Sequence, residues 1–245
     1  MHVRVRPLEC GWLTTDMGTM LSGRLGEMRM PVGAFLVEHE RGTVVFDTGM
    51  HPDLVHDSAR LGPIESMFDV DVGAEGLLGH RLREHGVDPA GVDVAVLSHL
   101  HYDHAGGLVE VPESRVVVQR DEWTAAQDPV LAELGVYHPA DFHTGHEIEL
   151  VEGRHDLFGD GSVVAVPTPG HTAGHQSLLI EGSTLLVGDA CYCQLALDED
   201  ALPPIAADVE RQRAGFAWLR EQAAAGVRLV YSHDPLQWPT LGPEL

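Results

Sequence analysis

Three imidazoles and a carboxylate fall within six residues in the run His99-Leu100-His101-Tyr102-Asp103-His104. Such groups are costly to bury unless something satisfies them. A divalent first-row metal satisfies all four through nitrogen and oxygen ligation. Six residues hold at most part of a two-metal site, so further ligands must come from elsewhere in the chain. His171 stands in the proline- and glycine-shaped stretch Thr168-Pro169-Gly170-His171-Thr172. Asp189 follows Leu185-Leu186-Val187-Gly188, and His233 follows Leu229-Val230-Tyr231-Ser232. Each candidate sits where an apolar, strand-like run gives way to a loop, a usual place for chemistry on a rigid scaffold.

The elements that must position these residues are legible as apolar runs between turn signals. Val32 to Val37 and Thr43 to Phe46 read as strands, the second ending in the turn Asp47-Thr48-Gly49. Val92 to Ser98 reads as the strand that delivers the histidine run, and Ala105-Gly106-Gly107 as the turn that follows it. Further strands are expected at Arg115 to Gln119, Glu147 to Val151, Ser162 to Val166, Gln176 to Ile180, Thr184 to Val187 and Arg228 to Tyr231. Helices are expected at Ala74 to His85, at Asp121 to Gln127 with Asp121 as N-cap, and at Asp208 to Ala225. In the last helix Val209, Phe216, Leu219 and Ala223 fall near one face. Strands in runs with occasional helices argue for layered sheets covered by helices, not a doubly wound parallel sheet.

The chain has 245 residues, 44% of them hydrophobic, enough for a sizeable core in one domain spanning residues 1–245. It carries 15 basic and 38 acidic residues for a formal charge of -23, and every basic residue is arginine. Without lysine there is no P-loop, no Schiff base and no lysine nucleophile. The acidity disfavours nucleic acid and anionic membranes as partners. Three cysteines make no disulfide framework, and no apolar run approaches the ~18 residues of a membrane span. A cytoplasmic protein is expected, and nothing in the sequence reads out its oligomeric state, a homodimer included.

The pattern His99-x-His101-x-Asp103-His104, followed in order by His171, Asp189 and His233, resembles the metallo-β-lactamase superfamily. The resemblance extends through Asp47-Thr48-Gly49 and Thr168 to Thr172 and covers about residues 30–235. It implies an α+β fold, the four-layer αββα sandwich, with metals at one edge of the two sheets. It also implies that His99, His101 and His171 hold one divalent ion and Asp103, His104 and His233 a second, with Asp189 bridging both. Zinc is the expected metal, although the same ligands accept manganese, cobalt or iron. Paired ions ~3.5–4 Å apart can generate a bridging hydroxide nucleophile near neutral pH.

Residue types narrow the branch. Asp189 stands where the commonest true β-lactamases carry cysteine, and His101 where the diiron flavoproteins usually carry glutamate. A lysine-free chain of this charge is a poor nuclease. The chain ends 12 residues after His233, so the helical glutathione-binding domain of glyoxalase II-type thioesterases is not expected. The resemblance is closest to the N-acyl homoserine lactone lactonases. It rests on His-Leu-His-Tyr-Asp-His-Ala-Gly-Gly, on Pro-Gly-His-Thr-x-Gly-His-Gln-Ser and on Tyr192, three residues after Asp189. It implies a small lactone substrate, Tyr192 as a hydrogen-bond donor to the ester and Asp103 as proton carrier to the leaving alkoxide. Hydrolysis of another lactone, such as that of pyridoxic acid, or of a thioester is the alternative. Persulfide dioxygenation on one iron and a non-catalytic ligand-binding module are the competing classes.

Not every suggestive residue is functional. Ten further histidines, from His2 and His39 through His138 to His155, read as surface residues. His175 reads as structural or as a support behind the ligands. Asp47 serves equally as a local turn cap or as a buttress for a metal-bound histidine. Met17, Met20, Met28 and Met30 suit an adaptable apolar pocket, a core-packing loop or a dimer contact. Cys191 and Cys193, flanking Tyr192, read as buried neutral thiols.

Overall fold

A computed structural model describes residues 3–245; His2 lies outside them. Two sheets form the centre. The first contains β1 (Arg4–Asp16), β2 (Glu27–His39), β3 (Gly42–Phe46), β4 (Asp69–Asp71), β5 (Val94–Val96), β6 (Arg115–Gln119) and β7 (Ile148–Val151), in the order β4-β1-β2-β3-β5-β6-β7. The second contains β8 (His155–Asp156), β9 (Val163–Pro167), β10 (Gln176–Ile180), β11 (Thr184–Leu186) and β12 (Arg228–Val230), in the order β12-β11-β10-β9-β8.

The strands alternate between two cores, which makes the architecture a four-layer sandwich. In β5, Val94 and Val96 enter the core between the sheets while Ala95 enters the outer core. In β3, Val44 and Phe46 point inward between the sheets and Val45 points out. From the second sheet, Leu178, Leu186 and Val230 complete the inner core, and Leu185, Leu229 and Tyr231 face outward. A strand buried on both faces reads as a continuous apolar run, which is why these segments stand out in the sequence. The outer layers include the helices Leu78–Glu84, Arg120–Ala126 and Val209–Ala224.

Strand directions bring the site together. β3, β5, β6 and β7 are mutually parallel, and so are β11 and β12. β9 runs the same way as β11 because both are antiparallel to β10. The residues that follow β3, β5, β9, β11 and β12 are Asp47, His99, His171, Asp189 and His233 in turn.

Several expectations need correction. The helix at Ala74 to His85 is a 3-10 turn, Ala74–Gly76, followed by an α-helix, Leu78–Glu84. Asp121 is not an N-cap: the cap is Gln119, without a side-chain bond, and Asp121 lies in the first turn. In Val209–Ala224 the buried stripe is Gln212, Phe216 and Leu219, while Val209 and Ala223 are exposed. A stripe at i, i+4 and i+7 faces the core even when one member is polar. Strands β1, β4 and β8 are absent from the elements expected of the sequence.

Candidate metal centre

The seven proposed ligands meet at one end of the sandwich. His99 and His101 leave β5 in extended backbone, and Tyr102–Ala105 then forms one helical turn carrying Asp103 and His104 inward. Asp47-Thr48 holds this run in place: the Thr48 N–H and Oγ1–H both donate to the His104 carbonyl at 2.7 Å. A Cβ on Gly107 would lie 2.0 Å from the Thr48 carbonyl oxygen, so only glycine permits the approach.

Two groups of donors share Asp189. Its Oδ1 lies 3.4 Å from His104 Nε2 and 3.2 Å from His233 Nε2. Its Oδ2 lies 3.4 Å from His171 Nε2 and 3.9 Å from His99 Nε2. Asp103 Oδ2 completes the first group, 3.6 Å from both His104 Nε2 and His233 Nε2. His101 completes the second, with its Nδ1 3.1 Å from His171 Nε2. The donor atoms of His99, His101 and His171, and separately those of Asp103, His104 and His233, lie within 4.8 Å of one another.

The electrostatics fit divalent cations. Burial holds His99, His101 and His171 below the usual imidazole range, His101 at about 4, so their nitrogens carry lone pairs at neutral pH. Burial also acts against the charged forms of His104 and His233. There Asp189 and Asp103, with Asp47 also beside His104, outweigh it and push both upward. Burial would raise Asp189, but the His104 and His233 imidazoles hold it well below the carboxylate range. His99 Nε2 and His101 Nε2 are buried without a hydrogen-bond partner among the described residues. Buried acceptors without donors, beside a surplus of carboxylate, are what a bound dication satisfies.

A layer of hydrogen bonds orients these donors from behind. Asp47 accepts from the Ser98 N–H at 2.7 Å and from Ser98 Oγ at 2.8 Å, and pairs with His104 Nδ1 at 2.8 Å. It does so with φ +59°, in the left-handed region. His233 Nδ1 donates to the Pro31 carbonyl at 2.7 Å, leaving Nε2 facing Asp189. His175 is not among the ligands. Its Nε2 accepts the Asp189 N–H at 2.9 Å, and its Nδ1 bonds Thr168 Oγ1. Thr168 bonds Ser177, whose hydroxyl donates to the Val187 carbonyl. That chain has one consistent proton direction, with His175 neutral, and burial holds its pKa at about 3.

Glu122 was missed by the sequence reading. Buried on the inner face of its helix with Ala126, it accepts from the Leu100 N–H, the Gly174 N–H and the Tyr137 hydroxyl, each at 3.1 Å. It therefore ties the loop bearing His99 and His101 to the loop bearing His171. Its signal in the sequence is a charged residue four positions before Ala126 on an apolar helix face. Gln212, also missed, donates to the Asp189 and Ala190 carbonyls.

Two expected surface histidines are drawn inward: the His39 side chain is buried, and His138 is partly buried. His39 stacks on Phe158 with centroids 4.0 Å apart and pairs with Asp160. His138 has a buried Nε2. Cys10, Cys191 and Cys193 are free and buried.

A cavity of about 390 Å³ opens onto the centre. His101, Asp103, His171 and Asp189 form its floor, and Tyr192 lines it with its hydroxyl 3.2 Å from His171 Nδ1. Met20, Met30, Ile64, Phe68, Leu131 and Val136 make most of the wall apolar. The methionine cluster is thus divided: Met20 and Met30 reach the cavity, whereas Met28 is core and Met17 packs against it.

Known proteins resemble this chain in sequence and fold. The chain is 32% identical to N-acyl homoserine lactonase AttM of Azorhizobium caulinodans, over 97% of this chain and 95% of that one. It is 30% identical to an N-acyl homoserine lactonase of Bacillus thuringiensis, over 84% and 82%. A solved N-acyl homoserine lactone hydrolase with N-hexanoyl-L-homoserine at its catalytic metal centre superposes with a TM-score of 0.87 at 26% identity, covering 99% and 98%. AidC, a dizinc quorum-quenching lactonase, shares the fold at 18% identity and a TM-score of 0.75. The Metallo-beta-lactamase superfamily model matches residues 29–223, which include every metal-competent residue of the centre except His233. The chain belongs to the metallo-β-lactamase superfamily.

Proposed function

We propose that this single-domain chain, residues 1–245, is a quorum-quenching hydrolase that opens the ester ring of N-acyl homoserine lactones. In this reading it holds two divalent ions, zinc in the native protein. His99, His101 and His171 hold one, Asp103, His104 and His233 the other, and Asp189 bridges them. The observation that carries the reading is the apolar cavity whose floor is the His/Asp cluster: it offers a tail of methylenes a dry wall and an ester a polar base. The related lactonases, one with an acyl homoserine product at its metal centre, support the choice of substrate.

When bound, such an ion pair supplies a water of lowered pKa and a Lewis acid for the carbonyl. The protein's own groups do the rest. Burial pushes the Tyr192 phenol well above its usual range, so it stays protonated and can donate to the ester oxygen as charge develops there. Asp103, at the cavity floor, carries a proton to the alkoxide as the ring carbon–oxygen bond breaks. Water is consumed and an N-acyl homoserine leaves. No described helix is long and apolar enough to cross a membrane. The three unpaired, buried cysteines support a reducing, cytoplasmic setting.

The test is turnover of the metal-loaded protein on homoserine lactones of varied acyl length, beside a thioester and a phosphodiester. Lactone opening with about two zinc-like ions per chain is expected. Cleavage of the phosphodiester alone refutes the proposal, and one redox-active iron per chain turns it toward persulfide dioxygenation.

A further inference from the structure

Two surface segments supply much of the cavity's wall. Residues 58–68 contribute Ile64, Met67 and Phe68, and residues 129–142 contribute Leu131, Val136 and Tyr137. Neither is held firmly by its own packing. Ser58–Met67 is 3-10 helix broken at Gly62, and Leu61 is its one buried residue. The helix Pro129–Glu133 buries none of its residues. Among the described residues, two polar ties run from residues 58–68 to distant parts of the chain. At one end the Thr15 hydroxyl donates to the Met67 carbonyl at 2.7 Å. Toward the other end Arg60 pairs with Asp141, in the short helix Pro139–Phe142. The Asp141 side chain is only 2% exposed and that of Arg60 20%, with a second Arg60 nitrogen 3.6 Å from Asp53 Oδ2. Desolvation makes so buried a pair a poor source of stability, whereas its geometry fixes where the two segments meet. They also touch at Gly135, where a Cβ would lie 3.2 Å from Pro63 Cδ and 3.3 Å from Ile64 Cγ2.

We infer that the Arg60–Asp141 pair latches the two wall segments together and so sets the cavity's grip on the substrate's acyl tail. This deepens the lactonase reading above and rests on it. Neither side chain lines the cavity, so both are positioning residues that act through Ile64, Leu131 and Val136. Neither touches the loops that carry the proposed metal ligands, and the pair therefore governs tail length rather than ester chemistry. A tail lying along both segments feels their spacing. A lactone without a tail reaches only the polar floor. Each methylene well buried against the wall is worth about fourfold in affinity, so a small loosening of the latch has a readable effect.

The experiment compares the metal-loaded wild type with Asp141→Asn on N-decanoyl homoserine lactone and on γ-butyrolactone, which has the ester and no tail. Asparagine removes the charge at nearly constant volume, and Arg60 keeps Asp53 beside it. The expected result is a KM raised about tenfold on the decanoyl substrate, the contact of about two methylenes. There kcat is expected to hold within twofold, the mark of lost uniform binding, as is kcat/KM on γ-butyrolactone. Amide hydrogen exchange is expected to quicken in residues 58–68 and to stay unchanged in residues 99–104. Should Asp141→Asn not fold, Arg60→Gln combined with Asp141→Asn strands no charge and carries the same comparison. A pair that served stability alone would change both lactones alike. Equal losses on both, no loss on the decanoyl substrate, or unchanged exchange in residues 58–68 each overturn the inference. Failure of the wild type to open either lactone refutes the function itself, whereas a wild type that opens both beside a variant that matches it refutes the latch alone.

Discussion

Asp47 touches no substrate and holds no ion, yet replacing it should weaken the metal centre. Its carboxylate is fully buried and meets three donors: Ser98 N–H at 2.7 Å, Ser98 Oγ at 2.8 Å and His104 Nδ1 at 2.8 Å. The bond to Nδ1 keeps the proton on that nitrogen, so an ion binding among Asp189 and His233 displaces the proton of Nε2 alone. Ser98 Oγ also lies 2.9 Å from His99 Nδ1, so one carboxylate orients a histidine in each donor group. Asp47→Ala would leave several buried donors unpaired at about 1–3 kcal/mol each, enough to confuse metal loss with unfolding. Asp47→Asn is the sharper change, because asparagine tolerates the φ of +59° and keeps the side-chain volume. Its amide can present only one acceptor oxygen, and its NH2 must face a donor.

Losing such a support costs about 10–100-fold in metal affinity, or roughly 1.4–2.7 kcal/mol. In the proposed two-ion centre the ion near His104 should leave first, so stoichiometry should fall from two toward one under a competing chelator. The assay is metal content after equilibration with graded chelator, beside a thermal melt of the metal-free protein to show that the fold persists. Both ions bound by Asp47→Asn within twofold of wild type would refute the argument and make Asp47 a turn residue only.

Other perturbations separate the roles of neighbouring groups. Tyr192→Phe should lower kcat on homoserine lactones by about a hundredfold, the cost of one donor to a developing oxyanion, with metal content unchanged; unchanged turnover removes Tyr192 from the mechanism. Glu122→Ala strips the Leu100 and Gly174 N–H groups and the Tyr137 hydroxyl of their acceptor. Denaturant unfolding should show at least about 3 kcal/mol lost, with the His171 loop detached from His99 and His101; a loss under 1 kcal/mol would show that the loops are held otherwise. Burial pushes the Cys10 thiol to about 12 and raises Cys191 and Cys193. All three should resist a thiol reagent at pH 8 in the native state and react together after unfolding; fast labelling of any one contradicts its burial.

The donor cluster was legible in the sequence because its chemistry demands rare residue types at strand ends. His99, His171, Asp189 and His233 each close a run that is apolar on both faces. What escaped did so for physical reasons. Val3, just before strand β1, and Val5 within it are buried on the inner face, and Leu8 and Cys10 on the outer one. Its pairing with β2 shifts between Glu9 and Trp12, at Gly11 with φ +105°, so Leu13 then joins the outer core with the opposite parity. A period-2 test fails across such a bulge. Glu122 and Gln212 escaped because their partners lie 15 to 52 residues away, and one polar residue on an apolar helix face is a weak local signal.

The cavity is the least local feature of all. Its apolar wall draws Met20 and Met30 from the N-terminal strands and their link, Ile64 and Phe68 from a segment without periodicity, and Leu131 and Val136 from beyond β6. Each of these residues alone reads as ordinary core. Only their convergence over His101, Asp103 and Asp189 makes a substrate site, and that convergence is a property of strand order. The donor cluster is thus written in a few residues that any reading of motifs can reach. Substrate preference is written in a surface assembled from distant segments, so changes along that apolar wall, rather than at the donors, are what should alter it.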